Sequence, residues 1–139
     1  MAEMQFLPQT GDDINLMEFA IEEQPSRTYK LDIDRGRIRG MTDEADAMLQ
    51  AVYLILSVER YQYPIYSYNY GVELADLIGQ PKDYVMSEAK RRITEALTQD
   101  DRIESVDEWA FETTKKSVIV TFVVHTIFGD IETTKEVAV

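Results

Sequence analysis

From Ala45 to Leu56 the apolar residues Ala45, Met48, Leu49, Val52, Ile55 and Leu56 recur at three- and four-residue intervals. That spacing makes one continuous stripe on a helix and no consistent face on a strand, so the segment is expected to be an amphipathic helix. Thr42 stands where a helix cap is needed, and Asp43, Glu44 and Asp46 sit in the first turn, at the positive end of the helix dipole. Such a stripe has to be covered, and it reads as core and not as a cofactor slot. A chain of 139 residues can supply the cover, because at that size roughly two-thirds of the unfolded surface is buried on folding.

The segments that would cover it follow in order. Thr28 to Ile33 alternates Tyr29, Leu31 and Ile33 with Lys30 and Asp32, the period of a half-buried strand. Asp34-Arg35-Gly36 supplies a turn and Arg37 to Arg39 a short return strand. Asp32 and Asp34 do not make a calcium loop, since the glycine and the final glutamate of that loop are missing. After the stripe helix, Pro64 stops any helical continuation. In YQYPIYSYNYG (61–71) the spacing of Tyr66, Tyr68 and Tyr70 predicts three rings on one face of a strand, with Tyr61 and Tyr63 covering the helix end. A short helix is expected over Val72 to Ile78, ended by Gly79, and a longer one over Lys82 to Leu97 with Val85, Ala89, Ile93 and Ala96 inward.

Three segments rich in β-branched and aromatic residues close the chain: Ile103 to Glu112, Ser117 to Phe128 and Ile131 to Val139. Thr-Thr-Lys-Lys joins the first pair and Gly129-Asp130 the second, a two-residue hairpin signal. The resulting expectation is an α+β fold, an antiparallel β-sheet packed against two main helices. Residues 1–27 read as an acidic arm, extended or partly ordered, and residues 28–139 as one domain.

Composition excludes more chemistry than it suggests. With no cysteine there is neither a disulfide nor a thiolate metal site. A formal charge of -12 repels phosphate backbones, so no nucleic-acid partner is expected. No apolar run is long enough to span a bilayer and no secretory leader is visible, so no membrane partner is expected either. His125, the only histidine, lies inside an apolar strand and reads as a structural or edge-exposed imidazole. No phosphate loop is present, and no cofactor is expected. Glu73, Asp76, Glu108 and Glu112 lie near aromatic residues, as the paired acids of a glycoside hydrolase would, but their spacing resembles that of ordinary surface acids.

Three stretches carry a resemblance: RTYKLDIDRGRIRG (27–40), SVERYQYPIYSYNYGVELADLIGQP (57–81) and EAKRRITEALTQDDRIESVDEW (88–109). Together, and in this order, they resemble the baseplate wedge proteins of defective-phage and tailocin contractile tails, a branch of the gpW-type and gene-25-type family. The resemblance is strong over about residues 27–113. It implies a structural protein without catalysis, found in the bacterial cytoplasm during assembly and in the inner baseplate of the mature particle. Its implied partners are other baseplate wedge proteins and the tail sheath protein, whose end domain the family resembles and which it is expected to template by strand sharing. About six copies around the tail axis are expected from closed cyclic symmetry. The family's Glu-Pro-Arg contact to the wedge core falls on Asp100, Asp101 and Arg102, where only the arginine is identical and the missing proline alters the local backbone. Arg91 and Arg92 on the second helix, with Tyr70 and Gly71, complete the expected partner-binding residues. The alternatives are a lysozyme-like glycoside hydrolase using paired carboxylates and an adaptor module for a non-phage partner.

Overall fold

The computed structural model describes residues 25–139. The acidic arm expected over residues 1–27 therefore lies, up to residue 24, outside the described residues. The element order is β1 (Thr28–Asp32), β2 (Arg37–Thr42), α1 (Glu44–Ser57), a short 3₁₀ turn (Ala75–Leu77), α2 (Lys82–Thr98), β3 (Ile103–Thr113), β4 (Ser117–Thr126) and β5 (Gly129–Ala138). β1 and β2 form a two-stranded hairpin, and β3-β4-β5 an antiparallel meander. The α+β architecture with two main helices is the one expected from the sequence.

One face of the meander and the two helices enclose the core. From Val118 onward the burial of β4 alternates, and Val118, Val120, Phe122 and Val124 are completely buried. Against them lie Met48, Val52, Ile55 and Leu56 of α1 and Val85, Ala89, Ile93, Ala96 and Leu97 of α2. Trp109 of β3 stacks on Phe122 with ring centroids 4.8 Å apart. The stripe on α1 is rotated slightly from expectation: Ala47 is buried, whereas Ala45 and Leu49 are exposed. Asp43, not Thr42, caps α1, its carboxylate accepting from the Glu44 N–H at 2.8 Å. Thr42 is drawn into β2, where it pairs with Thr28.

The hairpin is less buried than its alternation predicts, with Tyr29, Ile33, Ile38 and Met41 all exposed. It is held to α1 by Gln50, whose amide donates to the Tyr29 carbonyl at 2.8 Å and accepts from the Leu31 N–H at 2.9 Å. The turn expected at Gly129-Asp130 sits two residues earlier. Thr126 pairs with Gly129, leaving Ile127 and Phe128 as the loop. Phe128 packs on the core there, and Asp130 is placed opposite His125.

The largest departure is in the tyrosine stretch, which contains no strand. Glu59 and Val72 form a parallel bridge: Arg60 N–H donates to Val72 at 3.3 Å and Val72 N–H to Val58 at 3.0 Å. With their ends held side by side, residues 60–71 must double back as a compact loop and cannot run straight beside a sheet. Successive turns result, with the N–H groups of Gln62, Tyr66 and Tyr70 bonded to the carbonyls of Glu59, Tyr63 and Ser67. The rings pair across these turns: Tyr66 stacks on Tyr70 at 4.7 Å, Tyr63 meets Tyr66 edge-on at 6.3 Å, and Tyr61 leans on Tyr68 at 6.1 Å. Val72, expected in a short helix, is consumed by the bridge, so only the 3₁₀ turn remains.

Gly71 makes this closure possible. Its φ is +93°, and a Cβ there would lie 2.6 Å from the Val58 carbonyl oxygen, a backbone atom that cannot swing away. Gly71→Ala is expected to lower unfolding stability by at least about 2 kcal/mol, combining a strained φ with the clash. Urea denaturation measures this directly, and a loss below about 0.5 kcal/mol, the range of ordinary surface substitutions, would remove Gly71 from this role.

Candidate functional site

Four of the seven expected partner-binding residues converge. α2 ends at Thr98, and the chain turns through Asp100 and Asp101 into β3, with Asp100 N–H bonded to the Leu97 carbonyl and Ile103 N–H to that of Asp100. Arg102 is drawn back onto Asp100 in this turn. Its Nε and Nη2 donate to the two carboxylate oxygens at 2.9 and 2.7 Å, and its backbone N–H donates to Oδ1 at 3.0 Å. Both side chains are 18% exposed. Burial works against the Asp100 charge, but the Arg102 hydrogen bonds outweigh it and hold the carboxyl below its usual range.

This turn borders two grooves, each of about 320 Å³, that share Ile55, Tyr70 and Asp100. One continues past Asn69, Gly71 and Gln99, the other past Gln50 and Arg102 toward the β1 end of the hairpin. Tyr70 and Asp100 form the saddle between them. Burial raises the Tyr70 pKa, so its hydroxyl stays protonated at neutral pH and is available to donate. The site thus offers a neutral phenol, the amides of Asn69 and Gln99, and an internally neutralised ion pair around an apolar floor.

Arg91 and Arg92 lie elsewhere and are engaged within the chain. Arg92 binds Glu88 at 3.1 Å, the Glu73 carbonyl at 2.9 Å and the Asp76 carboxylate. Arg91 binds Glu88 at 2.8 Å and approaches Glu95 at 3.7 Å, and Glu95 meets Arg60 at 3.0 Å. Charges of alternating sign therefore run along α2 and tie down both the 3₁₀ turn and the base of the tyrosine loop. Asp101 is exposed and forms no ion pair among the described residues. Sequence reasoning missed Gln50, Asn69 and Gln99, and nothing local marks them, since their roles depend on segments far away in the chain.

The acids weighed for hydrolysis are scattered. Asp76 is bound to Arg92, while Glu108 and Glu112 stand exposed on β3. No group of acids and histidine among the described residues is arranged to hold a metal ion. His125 lies on the outer face of the meander, where Nδ1 is 2.6 Å from Asp130 on β5 and Nε2 is 3.4 Å from Asp107 on β3. It links all three strands, as a structural imidazole would.

Comparison with known proteins gives this chain a family. A family model described as contractile injection system sheath initiator matches residues 17–129. The chain belongs to that family. Among curated proteins, the chain is similar to the phage-like element PBSX protein XkdS of Bacillus subtilis (strain 168), at 39% identity over 125 residues and 87% of each chain. The match supports a structural place in a contractile tail, in line with the resemblance drawn from the sequence motifs. No helix among the described residues is long and apolar enough to cross a membrane.

Three outcomes follow from the ion pairs of this chain. Arg102→Ala should lower stability by about 1–2 kcal/mol, because it strands a part-buried carboxylate. Asp100→Ala together with Arg102→Ala should cost less than the sum of the two single changes, and strict additivity in urea melts would show that the pair is uncoupled. His125 behaves with the opposite sign. Its hydrogen bond to Asp130 raises its pKa above the unfolded value, so its stabilisation is complete below about pH 6.5 and is lost as pH rises through the folded value. His125→Gln should therefore destabilise more at about pH 5.5 than at about pH 8.5, and equal losses at both would rule out a charged clamp.

Proposed function

We propose that the chain is a structural component of the inner baseplate of a contractile phage tail or tailocin, where it binds the wedge core and templates the first sheath ring by β-strand sharing. The observation that carries this reading is the convergence of Tyr70, Gly71, Asp100 and Arg102 on one pair of grooves, in a chain of the sheath initiator family. Arg102 acts there by fixing the shape of the turn through Asp100, which leaves Asp101, Tyr70 and the neighbouring amides to meet the wedge core. Arg91 and Arg92 support the same surface by holding the tyrosine loop and the 3₁₀ turn against α2. The other half of the reading, strand sharing, draws on unpaired sheet edges, whose backbone groups can recruit a strand from a neighbour. About six copies around the tail axis would present those edges as a ring. The role requires no cofactor and no catalysis.

Bulk placed in the groove tests the wedge contact. Gln99 is exposed at the end of α2, so Gln99→Trp should leave the melting temperature nearly unchanged while abolishing co-purification with the wedge core. Retained co-purification would move the contact elsewhere. Imaging tests the second half: particles assembled without this chain should carry baseplates but no sheath, and normal sheaths on such particles would sink the template role.

A further inference from the structure

The β1–β2 hairpin leaves an apolar face uncovered. Partner positions of an antiparallel pair share a face, so Tyr29 stands beside Met41 and Leu31 beside Ile38. Tyr29 and Ile38 are 65% and 62% exposed, and Ile33 and Met41 are exposed with them. A hollow of about 650 Å³ opens there, lined by Leu31 and Ile33 together with Lys30, Asp32, Asp34 and Arg39.

The same hairpin is cationic in a chain of net charge -12. Arg27, Lys30, Arg35, Arg37 and Arg39 stand against only Asp32 and Asp34. Little of this charge is used locally. Arg35 and Arg37 approach Asp32 to no closer than 3.9 and 3.8 Å, and Lys30 and Arg39 form no ion pair among the described residues. The arginines of α2 and Arg102, by contrast, are held at 2.7 to 3.1 Å.

A segment of matching chemistry begins the same chain. Residues 1–24 contain six acidic residues and no basic one. Within them Asp12-Asp13 and Glu22-Glu23 bracket Ile14, Leu16, Met17, Phe19 and Ile21, an apolar run between two acid pairs. The described chain begins where this segment can reach the hairpin. Pro25 and Ser26 lie along α1, and the Ser26 hydroxyl donates to the Asp43 carboxylate, beside the pair of Thr28 with Thr42. Six residues separate Ile21 from Thr28. Extended, they reach about 20 Å, whereas a five-residue strand such as β1 is about 17 Å long. A short tether also sets an effective concentration in the millimolar range, so a contact of about millimolar affinity is occupied about half the time.

We propose that residues 12–23 fold back onto the β1–β2 hairpin of their own chain and cover its apolar face. Glu22 and Glu23 meet Arg27 and Lys30 near the point of entry, and Asp12 and Asp13 meet Arg35 and Arg37 at the turn. The apolar residues between the acid pairs lie over Tyr29, Ile33 and Ile38. The arm thereby screens a surface that would otherwise be open to other chains before assembly.

A nitroxide carried on Asn15→Cys tests this in the full chain, which has no other cysteine. Paramagnetic broadening of amide signals should be strongest at Tyr29, Ile33 and Ile38. Lys115 and Lys116, at the far end of α2 where Lys82 binds the Thr114 carbonyl, should be at least several-fold less affected. Leu16→Ser with Phe19→Ser, or Glu22→Lys with Glu23→Lys, should reduce the hairpin broadening several-fold. Unchanged broadening in both double variants would show tethering without contact and overturn the proposal. Broadening centred on Leu54, Tyr70 and Arg102 would put the arm in the neighbouring groove and overturn it as well. In an equal mixture of isotope-labelled chain without nitroxide and unlabelled chain with it, no broadening is expected. Broadening in that mixture would assign the hairpin to a second copy's arm and overturn the contact within one chain. Every substitution lies in the arm, so the hairpin itself is unaltered throughout.

Discussion

Between Glu59 and Val72 two stretches of backbone run side by side and exchange hydrogen bonds, and the pair of grooves around Tyr70 and Asp100 is built outward from that bridge. The bridge needs Gly71, because the close approach of Val58 leaves no room for a side chain and the local φ is left-handed. Once closed, it places Tyr70 over Ile55 and Asp100, brings Arg60 within reach of Glu95, and forces residues 60–71 into a loop. The tyrosine rings then pair with one another because the turns bring them together.

Electrostatics divide into groups used within the chain and groups presented outside it. Although the chain carries a formal charge of -12, several of its arginines are spent internally, as Arg60, Arg91, Arg92 and Arg102 show. Their carboxylate partners are correspondingly neutralised. What remains unpaired on the outer face of the meander is acidic, apart from His125 between Asp107 and Asp130. A scaffold of this kind can keep like-charged copies apart in solution and still favour a basic partner segment, since complementary charge raises the rate and selectivity of association.

The edges of the sheets follow the same division. An unpaired strand is a hazard to a soluble protein unless it is shortened, bulged or covered. Gln50 covers β1, the Glu108 bulge disrupts β3, and β2 is interrupted by Gly40. Against these three edges, β5 stands out by pairing with β4 from Gly129 to Ala138 without a shift in register.

Periodicity and composition determined the elements that bury a face. The stripe on α1 and the inward face of α2 were legible because burial imposes a 3.6-residue repeat on a helix, and β4 was legible from its run of β-branched and aromatic residues. The motifs over residues 27–113 likewise pointed to the family before any coordinates. Tertiary structure decided whatever depends on segments distant in sequence. The alternation of Tyr66, Tyr68 and Tyr70 mimicked a strand, but the bridge between Glu59 and Val72 prevents one. Gly129-Asp130 read as a turn, but packing of Phe128 and the bond from Asp130 to His125 moved the turn earlier. Arg102 read as a partner-binding residue, and its engagement by Asp100 follows from the sharp turn after α2. Local sequence encodes which face of an element is apolar. Which polar groups meet, and which edges stay open, is settled only when the elements pack.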